Sequence, residues 1–317
     1  MRFLVMGAGS IGSVVGGFLH MGGHETYLIG KGPHIRSVAE KGLDITGIWG
    51  DHRVEGLAVS ESVSRMMDEG FKPEWTLLSV KSYDTSEAMR DLADALPGQR
   101  GVVSLQNGLG NVEAIEEAAP GMAVGGRVIF GATTLEPGRV EVTVCADDVL
   151  LGSAPGGPPG VEGIVEAFSA SSIPCRYEER IFTYIWDKVL YNVCLNALAT
   201  MLRTDYGSLG DDPEVRLIME RLCEEFYLVA AAEGVELVSP NPARYMERFM
   251  GQLLPPTREH RSSMQEDIEQ GRRTEIEALN GEIAGLAQRH GIDAPANEIL
   301  TRMIRFLSPG SDLESRS

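Results

Sequence analysis

The chain has 317 residues, more than one ordinary domain needs, and 43% of them are hydrophobic, enough to form sizeable cores. Its 28 Lys and Arg residues face 46 Asp and Glu residues, and the net charge of −18 disfavours binding to nucleic acid or to an anionic membrane. The apolar run at the start is too short for a signal peptide, no apolar run is long enough to span a membrane, and the four cysteines lack zinc-ligand spacing. We therefore expect a soluble, cytoplasmic protein without a metal site.

Short β-rich runs alternate with helical stretches in the first half of the chain. Four runs are typical of buried strands: Phe3–Met6, Thr26–Ile29, Trp75–Val80 and Val102–Leu105. Helical patterns lie near residues 10–21, 83–95 and 111–118, and this alternation predicts a parallel sheet covered by helices. A second β-rich patch comprises Val124–Thr134, Val140–Val144 and Val149–Leu151, and Gly152–Gly160 then predicts a surface loop.

The pattern changes near residue 180. Ile181–Leu202, Pro213–Glu233 and Thr274–His290 each predict a helix, and no convincing strand accompanies them. We therefore expect an α/β domain of the Rossmann type over residues 1–179 and an all-α domain over residues 180–310. The polar residues 311–317 predict a flexible tail.

A glycine-rich turn (Gly7–Gly12) follows the first strand directly and opens the first helix, with the spacing GxGxxG. Gly7 permits the tight turn, Gly9 lets the backbone approach a pyrophosphate, and Gly12 allows the helix to pack closely on the strand. The backbone amides at the start of the helix attract phosphate, so Ala8, Ser10 and Ile11 of this turn are also expected to bind the cofactor. In this strand–turn–helix context the pattern favours dinucleotide binding over a purely structural turn.

The end of the second strand indicates which nicotinamide cofactor is used. NAD-specific folds place an acid there, where it binds the ribose 2′-hydroxyl. This chain has Gly30-Lys31 instead, and a lysine at this point can pair with a 2′-phosphate. The pattern favours NADP(H), although Lys31 also fits a solvated surface lysine.

Two later loops follow predicted strands, at the sheet edge where ligands of open α/β proteins bind. Lys81 lies in the first loop and Asn107 in the second. Both side chains can orient a nicotinamide or a substrate. Asn107-Gly108 is also an ordinary turn sequence, so the local pattern does not decide between the two interpretations.

The long predicted helix Ile181–Leu202 carries a polar stripe. Lys188, Asn192 and Asn196 recur every fourth residue, so they line one side of an otherwise apolar helix. Burying a lysine is costly unless it has a partner, and the stripe therefore indicates a wet cleft or a helix edge exposed to solvent. Reduction of a ketone by hydride leaves an alkoxide, and a lysine such as Lys188 can protonate it.

A third segment, residues 260–276, is mostly charged and predicts a solvated helix–turn–helix edge. Its Ser262 and Ser263 can donate hydrogen bonds to a carboxylate, and Glu275 can bind a hydroxyl. The residue types alone do not select them as ligands.

Together these segments resemble the ketopantoate reductase family over nearly the whole chain. The resemblance rests on the glycine-rich turn and on a set of further blocks: Val80–Thr85, Gln106–Asn111, Trp186–Asn196, Ser262–Met264, Gly271–Ile276, Leu279–Gly281, His290–Ile292 and Pro295. It implies a helical domain similar to that of 6-phosphogluconate and 3-hydroxyacid dehydrogenases. It also implies NADPH-dependent reduction of 2-dehydropantoate to pantoate, a step towards pantothenate and coenzyme A.

The resemblance further implies roles for individual residues. Lys188 is the expected proton donor, and Lys81 and Asn107 are expected beside the nicotinamide. The expected substrate ligands are Asn107, Asn192, Asn196, Ser263 and Glu275. The family often has arginine where this chain has Lys31, which keeps the charge but loses the bidentate fork and softens the cofactor selectivity.

Two other functions fit the same residues. A related dehydrogenase of another 2-oxo or 3-hydroxy acid would share Lys188 and Asn192. A non-catalytic NADP(H)-binding protein would bind nucleotide without turnover, which the presence of Lys188 together with Glu275 disfavours. In each enzymatic case the expected substrate is a small anionic acid. The chain is also a candidate for a homodimer.

Overall fold

A computed structural model describes residues 1–154 and 156–308 of the chain. The chain divides into two compact units, Met1–Ile181 and a second that begins at Phe182. The tail predicted over residues 311–317 lies outside the described residues. No helix in the described ranges is long and apolar enough to cross a membrane.

The described residues of the first unit form twelve strands in two sheets. They are β1 (Arg2–Met6), β2 (Glu25–Ile29), β3 (Leu43–Gly47), β4 (His52–Val54), β5 (Ala58–Ser60), β6 (Trp75–Leu78), β7 (Gly101–Ser104), β8 (Ala123–Arg127), β9 (Phe130–Glu136), β10 (Arg139–Cys145), β11 (Val149–Ser153) and β12 (Cys175–Tyr177). The larger sheet has the order β12-β11-β8-β7-β6-β1-β2-β5. Its neighbours run parallel except for β8 and β11, which are antiparallel.

Helices accompany this sheet, as the alternating sequence pattern predicts. They are α1 (Ser10–Met21), α2 (Pro33–Lys41), α3 (Val63–Asp68), α4 (Thr85–Leu92), α5 (Asn111–Ala118) and α6 (Val161–Ala170). Parallel strands covered on both faces are continuous apolar runs, and Phe3, Leu4 and Val5 of β1 are accordingly fully buried. The prediction of an α/β domain is confirmed.

The smaller sheet has the order β4-β3-β10-β9 and was not predicted. Val124–Thr134, predicted as one run of the second β-rich patch, divides between β8 of the larger sheet and β9 of the smaller one. Helix α1 packs on the smaller sheet at Gly17, where a Cβ atom would lie 2.6 Å from the Ile45 side chain.

The surface loop expected over Gly152–Gly160 begins later than predicted. Gly152 and Ser153 belong to β11, and a Cβ atom on Gly152 would lie 2.1 Å from the Glu178 carbonyl oxygen. This glycine therefore serves close backbone packing inside a strand rather than a turn.

The second unit is helical. Its elements are α7 (Ile181–Leu202), α8 (Tyr206–Asp211), α9 (Pro213–Ala232), α10 (Pro242–Arg248), a π-helical turn (Phe249–Leu253), α11 (Ser263–Glu269), α12 (Asn280–His290) and α13 (Pro295–Leu307), with 3₁₀ turns at Pro255–Thr257 and Ile276–Ala278. No strand occurs among its described residues, so the prediction of an all-α domain is confirmed.

The helix predicted over Thr274–His290 is wrong at its start. The backbone leaves helical geometry at Leu279, with φ −114° and ψ −109°, and α12 begins at Asn280. Asn280 is fully buried and donates hydrogen bonds to the Val193 carbonyl of α7 (3.2 Å) and to the Asn297 side chain of α13 (3.1 Å). The helix thus begins where a buried amide connects three helices.

A buried carboxylate caps α13. Glu225 of α9 has no exposed surface and accepts hydrogen bonds from the backbone amides of Ala296 (3.0 Å) and Asn297 (3.1 Å) and from the Asn297 side chain (2.9 Å). The Arg221 guanidinium forms an ion pair with this carboxylate, with 3.1 Å between Nε and Oε1. These donors, together with the positive end of the helix dipole, stabilise the buried charge.

Candidate active site

The glycine-rich turn lies between β1 and α1. Gly7 has φ +110°, and a Cβ atom on it would lie 2.4 Å from the Val80 amide nitrogen. The amides of Gly7 and Ala8 both donate to the carbonyl of Ile29 at 2.9 Å, which ties the turn to the end of β2. Gly12 fits as tightly, since its Cβ would lie 2.1 Å from the Gly7 carbonyl oxygen. Gly7 and Gly12 are therefore required by packing around the turn.

Gly9 differs from its two neighbours in this turn. Apart from the adjoining residues of the chain, no atom of the described residues lies within 4 Å of a Cβ built on it. It occupies the N-cap position of α1, whose first turn comprises Ser10, Ile11 and Gly12, and a glycine has no side chain that could cap these amides. Open space next to uncapped amides at a helix N-terminus is the environment that a pyrophosphate requires.

Lys31 follows β2, as predicted, and is 76% exposed. A Cβ atom on Gly30 would lie 2.8 Å from the Ala8 Cβ, so the end of this strand touches the glycine-rich turn. Helix α2 begins two residues after Lys31 at Pro33, and its N-cap residue Gly32 has no side chain that could cap it. A cation and a helix N-terminus therefore lie close together in the chain at the position expected to recognise the ribose.

His34 connects α2 to its surroundings. The Gly138 amide donates to its Nδ1 (3.2 Å), so Nδ1 carries no proton, and the neutral ring donates from Nε2 to the Ser13 hydroxyl (3.0 Å). Burial lowers the pKa of His34, which favours this neutral form. His34 thereby connects the start of α2 to α1 and to the turn between β9 and β10.

The loops that carry Lys81 and Asn107 are joined by a buried polar network. The Gln106 side-chain amide donates to the Val80 carbonyl (2.9 Å) and to the Thr85 hydroxyl (2.8 Å). The Asn111 side-chain amide donates to the Asn107 carbonyl (2.9 Å). Gln106, Thr85 and Asn111 are buried. These three residues were not identified from the sequence. The signal that could have indicated two of them is the presence of side-chain amides, Gln106 and Asn111, on both sides of Asn107-Gly108.

The predicted stripe on α7 is only partly accessible. Lys188 and Asn192 are half-buried, whereas Asn196 is 6% exposed. The Asn196 side-chain oxygen accepts a hydrogen bond from the Tyr206 hydroxyl at 2.5 Å. The expectation of one continuous wet stripe is therefore wrong at Asn196, because α8 covers that position; the substrate-binding role of Asn196 stays a prediction.

The residue before Lys188 is held by an ion pair. Arg248 of α10 donates to the Asp187 carboxylate, and its guanidinium lies 5.4 Å from the centre of the Tyr245 ring. Trp186 packs edge-on against Phe226 of α9 at 5.5 Å. These contacts fix the rotation of α7 at the turn that carries Lys188.

The segment with Ser263 and Glu275 is less solvated than the sequence indicates. Ser262 is fully buried, caps α11 by accepting from the Gln265 amide (3.1 Å), and lies 3.1 Å from the Thr200 hydroxyl of α7. Ser263 is exposed as the first residue of α11, and Glu275 is half-buried just before the 3₁₀ turn Ile276–Ala278. The prediction of a solvated edge is wrong because three further residues turn inwards: Met264, Gln265 and Asp267.

Within the second unit, the structure therefore brings the start of α11 against α7, through Ser262 and Thr200. Ser263 is the next residue along the chain. Within the first unit it joins the loops of Lys81 and Asn107 through Gln106. The catalytic and ligand roles predicted for all of these side chains stay predictions.

Comparison with known proteins identifies the family. The family model described as "Ketopantoate reductase PanE/ApbA" matches residues 3–156, and "Ketopantoate reductase PanE/ApbA C terminal" matches residues 180–308. A curated 2-dehydropantoate 2-reductase of Aquifex aeolicus is 34% identical over 309 residues, 96% of each chain. Another, from Pyrococcus horikoshii, is 33% identical over 307 residues, 96% of this chain and 97% of the relative.

Solved structures agree with this result. The crystal structure of a PanE/ApbA family ketopantoate reductase from Ralstonia eutropha JMP134 matches with a TM-score of 0.86 and 28% identity, over 97% of this chain and 98% of that one. A ternary structure of D-mandelate dehydrogenase with NADH and anilino(oxo)acetate matches with a TM-score of 0.87 and 25% identity, over the same shares of the two chains. The chain is thus a member of the ketopantoate reductase family, whose members are NADP-dependent oxidoreductases.

Proposed function

We propose that the protein reduces 2-dehydropantoate to pantoate with NADPH. The observation that carries the proposal is the combination of an open, uncapped glycine-rich turn in the first unit with Lys188 and Asn192 on one side of α7 in the second. The curated relatives of the chain are named for this reaction. The cofactor and the proton donor are thereby assigned to different units.

The residues of the first unit fit a dinucleotide phosphate. The space beside Gly9 accepts the pyrophosphate, because any side chain at this position would fill it. Lys31 and the uncapped start of α2 supply positive potential for the 2′-phosphate. Lys81 and Asn107, on loops fixed by Gln106, are assigned to the nicotinamide side. When bound, NADPH supplies the hydride that reduces the carbonyl carbon.

Lys188 is assigned the proton transfer. Hydride addition to the C2 carbonyl leaves a negative charge on its oxygen, and an ammonium stabilises this charge and then donates its proton to give the hydroxyl. Its neighbour Asp187 is held by Arg248, so the helix cannot easily rotate the lysine out of position. Asn192 lies one turn further along the same side of α7, where its side-chain amide can hold the substrate.

Ser263 and Glu275 are assigned to the remaining groups of the substrate. A hydroxyl can donate a hydrogen bond to a carboxylate, and Ser263 is exposed as the first residue of α11. Glu275 can accept a hydrogen bond from a substrate hydroxyl. These assignments predict that the two side chains affect binding of the oxo acid more than the chemical step.

A second function is favoured by one observation. The D-mandelate dehydrogenase structure matches this chain as well as a ketopantoate reductase structure does, and it is a ternary complex with NADH and anilino(oxo)acetate. The alternative is therefore reduction of another bulky 2-oxo acid, with NADH or NADPH, by the same residues.

The decisive experiment compares substrates and cofactors directly. Consumption of NADPH and of NADH is followed at equal concentrations of 2-dehydropantoate, phenylglyoxylate and pyruvate, and kcat/KM is determined for each pair. The proposal predicts the highest value for 2-dehydropantoate with NADPH. Lys188→Ala should lower this value by about 10²–10⁴, and Lys72→Ala on the exposed surface should leave it unchanged. A higher value for phenylglyoxylate supports the alternative, and binding of NADPH without turnover of any oxo acid contradicts both.

A further inference from the structure

The ammonium of Lys31 has an acidic partner on a different element. Its Nζ lies 3.4 Å from the Glu87 carboxylate, which belongs to the first turn of α4, 56 residues later in the chain. The two side chains are 76% and 58% exposed. Exposed pairs of this kind contribute little to folding stability. The pair matters instead for what else Lys31 can bind.

The two cationic side chains near the end of β2, Lys31 and Arg36, each have an acidic partner. The Gly30 amide donates to the Ser60 carbonyl, which brings the ends of β2 and β5 together. Glu61 follows directly and pairs with Arg36 of α2 at 2.8 Å. Lys31 and Arg36 are thus both opposed by carboxylates, and the charges of these four side chains sum to zero. A phosphate dianion arriving at Lys31 therefore meets cations that already have carboxylate partners, and the attraction of Lys31 and the α2 N-terminus for it is reduced.

We infer that Glu87 competes with the 2′-phosphate of NADPH for the Lys31 ammonium and so lowers the preference for NADPH over NADH. The ammonium carries a single positive charge, so the carboxylate beside it reduces its attraction for a phosphate, and NADPH binding weakens the Lys31–Glu87 pair. NADH carries no phosphate there and leaves the Lys31–Glu87 pair intact. The inference rests on the proposed function, in which Lys31 recognises the 2′-phosphate.

The test is a double-mutant cycle on cofactor binding. Dissociation constants of NADPH and NADH are measured by calorimetry for the wild type, Glu87→Gln, Lys31→Ala and the double variant. Asp91→Asn, the same change of charge one turn further along α4, is the control. We expect Glu87→Gln to bind NADPH about three-fold more tightly, in line with the size of exposed pairs, with NADH unchanged. The gain must disappear when Lys31 is alanine.

The outcomes separate the inference from the proposed function. If Lys31→Ala weakens NADPH selectively but Glu87→Gln leaves the ratio of the two constants unchanged, the competition is wrong and the proposed cofactor stands. If the gain from Glu87→Gln persists without Lys31, the carboxylate repels the phosphate directly and the competition is again wrong. If Lys31→Ala weakens both cofactors equally, the recognition of the 2′-phosphate is wrong and the inference falls with it.

Discussion

The Tyr206 hydroxyl and the Asn196 side chain form a hydrogen bond of 2.5 Å inside the second unit, where both residues are buried. The same asparagine offers its backbone oxygen to the Thr200 hydroxyl (2.7 Å). Burial also raises the pKa of Tyr206, so the phenol remains a donor. Asn196 therefore has a structural task on α7, whether or not it also contacts substrate.

Tyr206→Phe tests this task. The substitution leaves the Asn196 oxygen without a donor in a buried position, which typically costs about 1–3 kcal/mol. We expect a lower midpoint of thermal unfolding, whereas Tyr177→Phe on the exposed surface has no effect. If Asn196 also holds substrate, KM for the oxo acid rises in Tyr206→Phe while the affinity for NADPH is retained. An unchanged midpoint means that the bond does not stabilise the unit.

Gly9→Val and Gly7→Ala separate cofactor binding from folding. The Cβ of a valine at position 9 has open space beyond the adjoining residues, so we expect the fold to lose only the small N-cap preference for glycine over valine, about 1 kcal/mol. The valine side chain fills the space for the pyrophosphate. Alanine at position 7 instead meets the Val80 backbone at a positive φ and strains the fold. We expect calorimetry to detect no NADPH binding to a stable Gly9→Val protein and a larger loss of unfolding midpoint in Gly7→Ala. Intact NADPH affinity in Gly9→Val contradicts the nucleotide site.

Lys188→Ala and Lys188→Met test the proton donor. General acid catalysis contributes about 10²–10⁴ to a rate, and both variants should lose kcat by that factor while the dissociation constant of NADPH stays the same. Lys188→Met keeps most of the stem volume and so separates charge from packing. A Glu275→Gln variant should raise KM for the oxo acid more than either. If Lys188→Ala keeps kcat near that of the wild type, with an isotope effect from deuterated cofactor showing rate-limiting hydride transfer, Lys188 does not transfer the proton.

His34 should make stability depend on pH. Its pKa is lowered in the folded chain, so the unfolded chain takes up the proton first as the solution is acidified. The contribution of His34 is complete above about pH 6.5, the ordinary histidine value, and is lost as the pH falls through the lowered pKa. Urea unfolding between pH 8 and pH 5 should show the wild type losing more stability than His34→Asn, which cannot titrate. Parallel pH profiles for the two proteins contradict this linkage.

The sequence predicts the site of the first unit better than its full architecture. The glycine-rich turn and Lys31 are local patterns, and their positions follow from strand and helix periodicity alone. The strands β4, β5 and β12 escape such reasoning because they have only three residues each. The smaller sheet escapes it because β3 pairs with β10, which is distant in the chain. Strand pairing of this kind is set by tertiary contacts rather than by local propensity.

In the second unit, the sequence predicts where the long helices lie, but it does not predict the surroundings of their polar residues. Ser262 and Ser263 are equivalent in sequence, yet one is a buried cap and the other is exposed, because α11 begins between them. Asn196 follows the spacing of Lys188 and Asn192 and is nevertheless covered by Tyr206. Spacing determines the side of a helix, whereas the packing of other helices determines which positions on that side stay accessible.

The hydrogen bond from Asn280 to the Val193 carbonyl spans 87 residues. A ribosome that adds about 5–20 residues per second needs roughly 4–17 s to synthesise that interval. During this time part of α7 has already left the ribosome exit tunnel, but Asn280, whose amide later contacts the middle of this helix, has not yet been made. Asn297, which connects the same amide to the Glu225 carboxylate, is added 17 residues later still. The helix that carries Lys188 is therefore among the first parts of its unit to be made and among the last to acquire its full set of buried polar contacts.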